Sequence, residues 1–358
     1  MMEDVKKKIL YIDPLLQNGH VNFNNIYIES LRKSGYLLEF VFVSGYEGKL
    51  NIDSSDVVYL IPNFFFKKDL GKLGNRIAYF FALLFIKMVV DFKKYDLIIF
   101  SSFEEVSFFL SNIKKCYLIN HINASTSVES KVKFFFLNKV LINNSLIVFD
   151  QETKNYLSSK GNYKIYVQPH GLPKVKSNIA TNEDYEFRVI LDELAKYKKV
   201  LFSPSESSSD KDFINELIQS NKFMEYLEQE DVLFVYKDKS PVIKRNTLVI
   251  SRFLSQDEYD YLFLKSNVIL IAYPKNFKYR VSGVLLECMA NDKPCAVSRI
   301  DALESYNDFF KYGAFYSNIV ELIQVITDLD EFKGNGGGYY RNLVKLEPNF
   351  NNIINKQI

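Results

Sequence analysis

Short apolar runs alternate with longer segments of helical spacing along most of the chain. Runs rich in β-branched and aromatic residues occur at 7–13, 37–44, 57–61, 95–102, 115–121, 145–150 and 163–169. Most of these runs are continuous rather than alternating in polarity, which is typical of parallel strands covered on both faces. The segments between them carry the spacing of helices, as in "NFNNIYIESLRKSG", where the pattern ends at a glycine. The alternation predicts βαβ units and therefore a doubly wound α/β sheet.

A second series of apolar runs follows in the C-terminal half. Its members lie at 198–205, 231–237, 246–251, 267–274 and 294–298. A polar stretch with a proline and no apolar period separates the two series, which favours a linker. We therefore predict two Rossmann-like domains with an interdomain cleft, since ligands of such sheets bind beyond the carboxyl ends of the strands. We predict a first domain at 1–172, a linker at 173–186 and a second domain at 187–332. The tail, 333–358, is expected to pack back towards the first domain.

Composition and charge narrow the range of functions. The chain has 358 residues, of which 47% are hydrophobic and 25% charged, and these values are ordinary for a globular protein of about two domains. Its net charge of +2 gives no indication of nucleic-acid binding. The three histidines and three cysteines show no metal-ligand spacing, so we expect no metal site. The low cysteine count, without a C-x-x-C pair, favours a reducing cytoplasm.

Two segments combine lysine with phenylalanine, "FFFKKDLGKLGNR" at 64–76 and "KVKFFFLNK" at 131–139. This combination is typical of helices that lie on anionic lipid, and phenylalanines facing the core with solvated lysines are the alternative interpretation. The longest apolar stretch, 77–90, is shorter than the roughly 20 residues of a membrane span. The first residues show no apolar core of a signal peptide. We expect a cytoplasmic protein that binds peripherally at the inner face of a membrane if the first interpretation holds.

One helix pattern, within "YRVSGVLLECMANDKPCAV", places a carboxylate inside an apolar run. Ser282 can cap this helix. The first-turn N–H groups of Gly283 and Val284 would then face a phosphate, with Arg280 as a nearby cation. Glu287 lies one turn after the glycine, on the same face, where its carboxylate can accept both hydroxyls of a ribose. The pattern thus predicts a site for a phosphate and its attached ribose, and a solvated loop arginine with a partly exposed helix glutamate is the alternative.

Further candidates lie at other predicted strand ends. Lys211 follows the serine-rich "SPSESSSD", which can hold an anion, although an ordinary helix-capping segment explains it equally. His121 ends the strand "CYLINH", where near-neutral titration suits a catalytic acid or base, and a buried structural histidine is the alternative. Gly19 and His20 lie in the first loop, where an acceptor or a diphosphate would pass, and an ordinary turn residue is the alternative interpretation of His20. Glu104 follows "IIFSSF" and suits an acceptor contact or a base, but helix starts favour acidic residues without any chemistry.

The segment "SGVLLECMANDKPCAVS" resembles the donor-binding helix of GT-B glycosyltransferases, especially those of family 4. The residues that match this family's motif are Glu287, Lys293, Pro294 and Val297. Asp292 stands where the family usually has glycine, and Tyr279 stands where its retaining members have an earlier glutamate. Weaker similarity covers most of the chain, including "VQPHGLP" at the position of the family's hinge motif.

The resemblance implies a metal-independent glycosyltransferase of the hexosyltransferase type that uses a nucleotide-diphosphate sugar and no further cofactor. Its second domain would bind the donor and its first domain the glycan or lipid-linked acceptor, in the biosynthesis of a bacterial surface polysaccharide such as a capsule. Lys211 would act as the family's lysine on the diphosphate, and His121 as a histidine that contacts the sugar. The residue at Tyr279 leaves retaining and inverting outcomes open. A nucleotide-sugar epimerase of the same architecture and a non-catalytic GT-B-like subunit are alternative hypotheses.

Overall fold

The computed structural model describes residues 7–14, 20–66, 71–121, 124–176, 185–204, 211–238, 244–274, 277–331 and 338–354. The chain forms two compact units. The first comprises Met1–Gly171, Tyr279–Val281 and Val344–Ile358, and the second comprises Leu172–Lys278 and Ser282–Leu343. Each unit is built on one parallel sheet, which confirms the predicted α/β fold class.

The strands and helices follow one another in βα order along most of the chain. The strands are β1 (Lys8–Asp13), β2 (Leu37–Val43), β3 (Val57–Ile61), β4 (Leu97–Phe100), β5 (Tyr117–Ile119), β6 (Ser145–Val148), β7 (Ile165–Val167), β8 (Lys199–Ser203), β9 (Val232–Lys237), β10 (Thr247–Ile250), β11 (Val268–Ile271), β12 (Cys295–Ser298) and β13 (Phe315–Tyr316). The α-helices are α1 (Val21–Lys33), α2 (Gly71–Val89), α3 (Glu105–Ser111), α4 (Ala124–Glu129), α5 (Lys131–Leu141), α6 (Gln151–Ser158), α7 (Tyr185–Leu194), α8 (Lys211–Gln219), α9 (Asn221–Gln229), α10 (Gln256–Lys265), α11 (Gly283–Ala290), α12 (Asp301–Glu304), α13 (Ile319–Glu331) and α14 (Asn351–Ile354).

The sheet of the first unit has seven parallel strands in the order β3-β2-β1-β4-β5-β6-β7. Every second side chain of a strand points to the same face, so Leu10 and Ile12 join the core that contains α2. Ile9 and Tyr11 join the opposite core, which contains α1. All four side chains are fully buried. Helices on both faces therefore explain why the apolar run in the sequence is continuous.

The sheet of the second unit has six parallel strands in the order β10-β9-β8-β11-β12-β13. Side chains of α8, α9 and α13 share one core with this sheet. Every strand that the apolar pattern predicts is present; β3 has the predicted bounds and the others are shorter. The sequence analysis missed β13, because a strand of two residues is too short to show a period.

The range predicted as a linker, 173–186, overlaps a helix of the second unit. Helix α7 begins at Tyr185, because Phe187 and Ile190 lie one turn apart and are both buried. Lys176, near the other end of the predicted linker, has a side chain that is only 8% exposed. Residues 177–184 lie outside the described part of the chain.

The predicted tail, 333–358, divides between the two units. Tyr340 forms an antiparallel bridge with Phe310 in the second unit. The chain from Val344 onwards counts with the first unit, where Phe350 and Ile353 are buried in the core that contains α1. Residues 333–337 and 355–358 of the predicted tail lie outside the described residues.

Candidate functional site

The predicted donor helix is present as α11, which follows β11 in the second unit. Ser282 is fully buried and caps the helix, since its Oγ accepts a hydrogen bond of 3.2 Å from the N–H of Leu285. The predicted cap is thus confirmed. Gly283 is exposed, and a Cβ added to it would meet no atom within 4 Å. The first-turn N–H groups of Gly283 and Val284 have no acceptor within the helix, so α11 begins at an open surface with partial positive charge.

Glu287 lies one turn after Gly283, and its side chain is 18% exposed. The hydroxyl of Tyr259 donates a hydrogen bond of 2.7 Å to its Oε2. The ammonium of Lys176 lies 3.8 Å from the same oxygen. In the described part of the chain, the bonds of this carboxylate fall on Oε2, which leaves the lone pairs of Oε1 for an external donor.

Lys176 lies at the centre of this group. Its side chain, 8% exposed, forms an ion pair with the carboxylate of Asp260. Its ammonium is 4.8 Å from the ring centroid of Tyr259 and 5.2 Å from that of Phe263, so aromatic faces stabilise the charge. Burial raises the pKa of the Glu287 carboxyl, while the Lys176 ammonium and the Tyr259 hydroxyl act in the opposite direction. Two partners thus limit the effect of burial on the one carboxylate that was predicted to bind ribose.

Sequence analysis missed Lys176 and Tyr259. Lys176 fell in the polar stretch that was interpreted as a linker, and Tyr259 is one of many tyrosines in helices. Tyr259 is 28 positions from Glu287 along the chain, and Lys176 is farther away still. A contact between such distant residues leaves no local pattern that a single sequence can show.

The structure describes less of the two other predicted donor-site cations, Lys211 and Arg280. Lys211 is the first residue of α8, and both its side chain and the serine-rich residues 205–210 lie outside the described part. Arg280 is exposed and belongs to the segment Tyr279–Val281 of the first unit. In that segment Tyr279 stacks on Tyr156, with ring centroids 4.1 Å apart and planes at 16°. The position where retaining members of family 4 have a glutamate is therefore used for packing here.

All three histidines of the chain lie together at one edge of the first sheet. His121 follows β5, His170 follows β7, and His20 lies at the start of α1, after β1. The ring centroids of His20 and His121 are 4.5 Å apart, and those of His121 and His170 are 6.3 Å apart. Phe23 packs edge-on against His121 at 4.2 Å. The carboxyl ends of parallel strands meet at one edge, which explains how residues far apart in sequence converge.

A buried carboxylate accompanies the histidines. Asp13, at the end of β1, is fully buried and accepts hydrogen bonds from Asn24 Nδ2 at 2.7 Å and Ser102 Oγ at 2.8 Å. Its Oδ2 lies 3.6 Å from Nδ1 of His20. A carboxylate this close to an imidazole can orient the ring, which is the role of the acid partner of a histidine base. Gly19, the other predicted residue of this loop, lies outside the described residues.

The predicted catalytic histidine, His121, is strongly desolvated. Its Nε2 is buried and has no hydrogen-bond partner among the residues that the structure describes. Burial, together with His20 and His170, holds the pKa of His121 well below its ordinary value. The ring is therefore neutral at neutral pH, and it takes up a proton less readily than an ordinary histidine. Its catalytic role stays a prediction.

Glu104 caps α3. Its Oε2 accepts hydrogen bonds from the N–H of Ser107 at 2.9 Å and from the Ser107 hydroxyl at 2.8 Å. Its Oε1 pairs with Nε of Arg76 at 2.8 Å. The helix-start interpretation is thus confirmed, and both oxygens are engaged by the first unit itself. Acceptor binding by Glu104 stays a prediction with little support from this geometry.

Comparison with known proteins gives the fold a name. No protein-family model matches the chain, and a search of curated proteins finds no match. Solved structures match it along most of its length. HepE of Anabaena, in complex with UDP-glucose, is 12% identical with a TM-score of 0.57, over 98% of this chain and 94% of that one. WaaG, a glycosyltransferase involved in lipopolysaccharide biosynthesis, is 10% identical with a TM-score of 0.55, over 90% of each chain. The chain has the GT-B fold.

The GT-B fold also includes proteins of other activities. A Listeria monocytogenes protein assigned as a UDP-N-acetylglucosamine 2-epimerase is 12% identical with a TM-score of 0.52, over 92% of this chain and 89% of that one. At such identities the likeness shows the fold alone, and fold does not determine function. The prediction of the GT-B fold is therefore confirmed, whereas membership of family 4 stays a prediction.

Proposed function

We propose that the chain is a glycosyltransferase that moves a sugar from a nucleotide-diphosphate sugar to a glycan or lipid-linked acceptor. The observation that carries this proposal is Glu287. A partly buried carboxylate that keeps one oxygen for an external donor lies one turn after the open, capped start of α11. A phosphate at the helix start and a ribose at the carboxylate are adjacent parts of one ligand, a nucleoside diphosphate.

The proposed chemistry depends on position and charge. The acceptor hydroxyl attacks the anomeric carbon, the bond from that carbon to the diphosphate breaks, and the hydroxyl proton passes to a base. The start of α11, with Arg280 and Lys211 as further cations, would stabilise the departing diphosphate without a metal. Histidine is the base that the first unit offers, either His121 or the His20 that faces Asp13.

Nucleotide binding tests the proposal. Wild-type protein is titrated calorimetrically with UDP, GDP, ADP and CDP, and we expect at least one to bind. Glu287→Ala should weaken that binding by about 10- to 100-fold, because hydrogen bonds to a charged group are lost. Glu225→Gln, an exposed glutamate of the same unit, is the matched control and should leave the affinity unchanged. Equal affinity in wild type and Glu287→Ala would place the nucleotide elsewhere and refute this assignment of the site.

A nucleotide-sugar epimerase is the second candidate. The observation that favours it is the convergence of three histidines and Asp13 at one strand edge, since epimerisation needs acid and base groups around the sugar. Incubation with UDP-sugars, followed by product analysis with and without candidate acceptors, separates the possibilities. A sugar transferred to an acceptor supports the transferase. A UDP-sugar with one sugar carbon inverted, formed without an acceptor, supports the epimerase. Binding without any product would indicate a non-catalytic subunit.

We further propose that the first unit binds peripherally to an anionic membrane, where a lipid-linked acceptor of a surface polysaccharide would reside. Helix α2 exposes Leu73, Ile77 and Phe81, at 70%, 50% and 49%, on one stripe four residues apart. Helix α5 exposes Val132 at 60% and Phe135 at 53%, next to lysines of the same helix. Among the described residues, no helix is long and apolar enough to cross a membrane.

Vesicle sedimentation tests the membrane proposal. The protein should sediment with vesicles of phosphatidylglycerol and phosphatidylcholine and should remain in solution with phosphatidylcholine alone. Leu73→Ser with Phe81→Ser should reduce the bound fraction several-fold, because the apolar contact is lost. The control is Val320→Ser, a residue of the second unit that is 59% exposed. Equal sedimentation of wild type and the double variant would refute a role for this stripe.

A further inference from the structure

We propose that Lys176, together with Tyr259, positions Glu287 so that its Oε1 faces the ribose of the nucleotide. This inference rests on the proposed nucleotide site. The inference concerns two residues that lie outside α11 and outside the motif that suggested the site. Their connection with Glu287 is visible in the structure and not in the sequence. Both contacts reach the same oxygen of Glu287, at 2.7 Å from the Tyr259 hydroxyl and 3.8 Å from the Lys176 ammonium.

The backbone and side chain of Lys176 are both fixed. Its N–H donates a hydrogen bond of 2.8 Å to Oδ1 of Asn291, and Nδ2 of that residue donates at 2.8 Å to the carbonyl of Glu287. The side chain extends between the rings of Tyr259 and Phe263. Asn291 thus connects the backbone of Lys176 with that of α11. This connection fixes the position from which the Lys176 ammonium approaches the Glu287 carboxylate.

The charges around Glu287 make such a cation necessary. The groups that face it are Lys176, Tyr259 and Asp260, the last two on α10. Asp260 is itself held by Lys176 and by a hydrogen bond of 2.8 Å from Gln256. Without the ammonium, two largely buried carboxylates would face each other with only neutral partners. Glu287 would then rotate towards solvent or take up a proton, and in either case it would no longer accept two ribose hydroxyls.

The test compares ribose with deoxyribose. Nucleoside diphosphates UDP, GDP, ADP and CDP are first screened by calorimetry, and the tightest is compared with its 2′-deoxy form. Wild type should favour the ribose form by about tenfold, as expected for one hydrogen bond to a charged group. Lys176→Met and Tyr259→Phe should each bring this ratio close to one. Lys174→Met removes an exposed lysine two positions away and should keep the wild-type ratio.

The ribose-to-deoxyribose ratio separates positioning from stability. A variant that is merely less well folded binds both forms more weakly and keeps the ratio. Tyr259→Phe leaves the ion pair of Lys176 with Asp260 in place, so it reports on Glu287 even if Lys176→Met fails to fold. Retention of the wild-type ratio by Tyr259→Phe and by any folded Lys176→Met would overturn this inference while the nucleotide site stands. Absence of binding by all four nucleotides to wild type would instead overturn the proposed function.

Discussion

At the scale of single residues, His170 shows how an enclosed imidazole makes stability depend on pH. Its ring centroid lies 4.8 Å from that of Phe23 and 5.0 Å from that of Phe149, and burial lowers its pKa to about 4. In the unfolded chain a histidine titrates near pH ~6.5. Between these two values the unfolded state binds more protons than the folded state. The contribution of His170 to the free energy of unfolding is therefore fully present above about pH 6.5. It is lost as the pH falls towards 4, and the loss is about 3 kcal/mol at most.

The variant His170→Gln cannot take up this proton. Its melting temperature should fall less steeply than that of wild type between pH 6.5 and pH 4, although it can be lower at pH 7.5 because the packing differs. Thermal unfolding followed by circular dichroism at several pH values measures both slopes. Replacement of Gln168, a buried neighbour that does not titrate, by Asn is the packing control. Parallel slopes for wild type and His170→Gln would show that this histidine does not contribute to acid sensitivity.

Single residues also show the limit of sequence analysis. The resemblance to family 4 places a glycine at the position of Asp292, and here the backbone has φ of 48°, the left-handed region that favours glycine. Asp292 adopts this conformation, and its Oδ1 accepts a hydrogen bond of 2.7 Å from the N–H of Tyr339. The conformation was thus predictable from the motif. The hydrogen-bond partner of the aspartate lies 47 positions away and was not.

At the scale of elements, prediction succeeded where a pattern is local and long enough. Continuous apolar runs located the strands because a strand covered on both faces must be apolar throughout. Ser282 and Gly283 could be recognised as a helix start because a cap and its helix are adjacent in sequence. The order of the strands in each sheet follows from connections that the apolar pattern does not encode. The same holds for the convergence of His20, His121 and His170.

The cap of α11 leads to a prediction at this scale. Ser282→Ala should lower the free energy of unfolding by about 1 kcal/mol, since the N–H of Leu285 loses its acceptor. Ser220→Ala removes the equivalent cap of α9 in the same unit and should cost a similar amount. Only Ser282→Ala should also reduce the rise in melting temperature that a bound nucleoside diphosphate produces, because the frayed turn is the proposed phosphate site. Equal ligand-induced shifts in the two variants would argue against a phosphate at α11.

At the scale of the whole molecule, the chain returns to its first unit at the C-terminus. Phe350 is fully buried in the core that contains α1, with its ring centroid 5.1 Å from that of Tyr27. Two hydrogen bonds fix the same segment, from Ser30 Oγ to the carbonyl of Pro348 at 2.8 Å and from the Tyr36 hydroxyl to Asn351 at 2.9 Å. The core of the first unit is therefore complete only when the segment around Phe350 is in place.

Phe350→Ala should consequently destabilise the first unit, by about 3–5 kcal/mol, because a large cavity opens in its core. Amide hydrogen exchange locates the effect, since protection in β1 and α1 should fall more than protection in β8 and β9. Val344→Ala, at a residue of the same segment that is 72% exposed, is the control and should change little. If exchange accelerated equally in both sheets, the C-terminal segment would stabilise the whole chain rather than one unit. If it accelerated in neither, burial of Phe350 would contribute nothing to the stability of the first unit, and this prediction would be wrong.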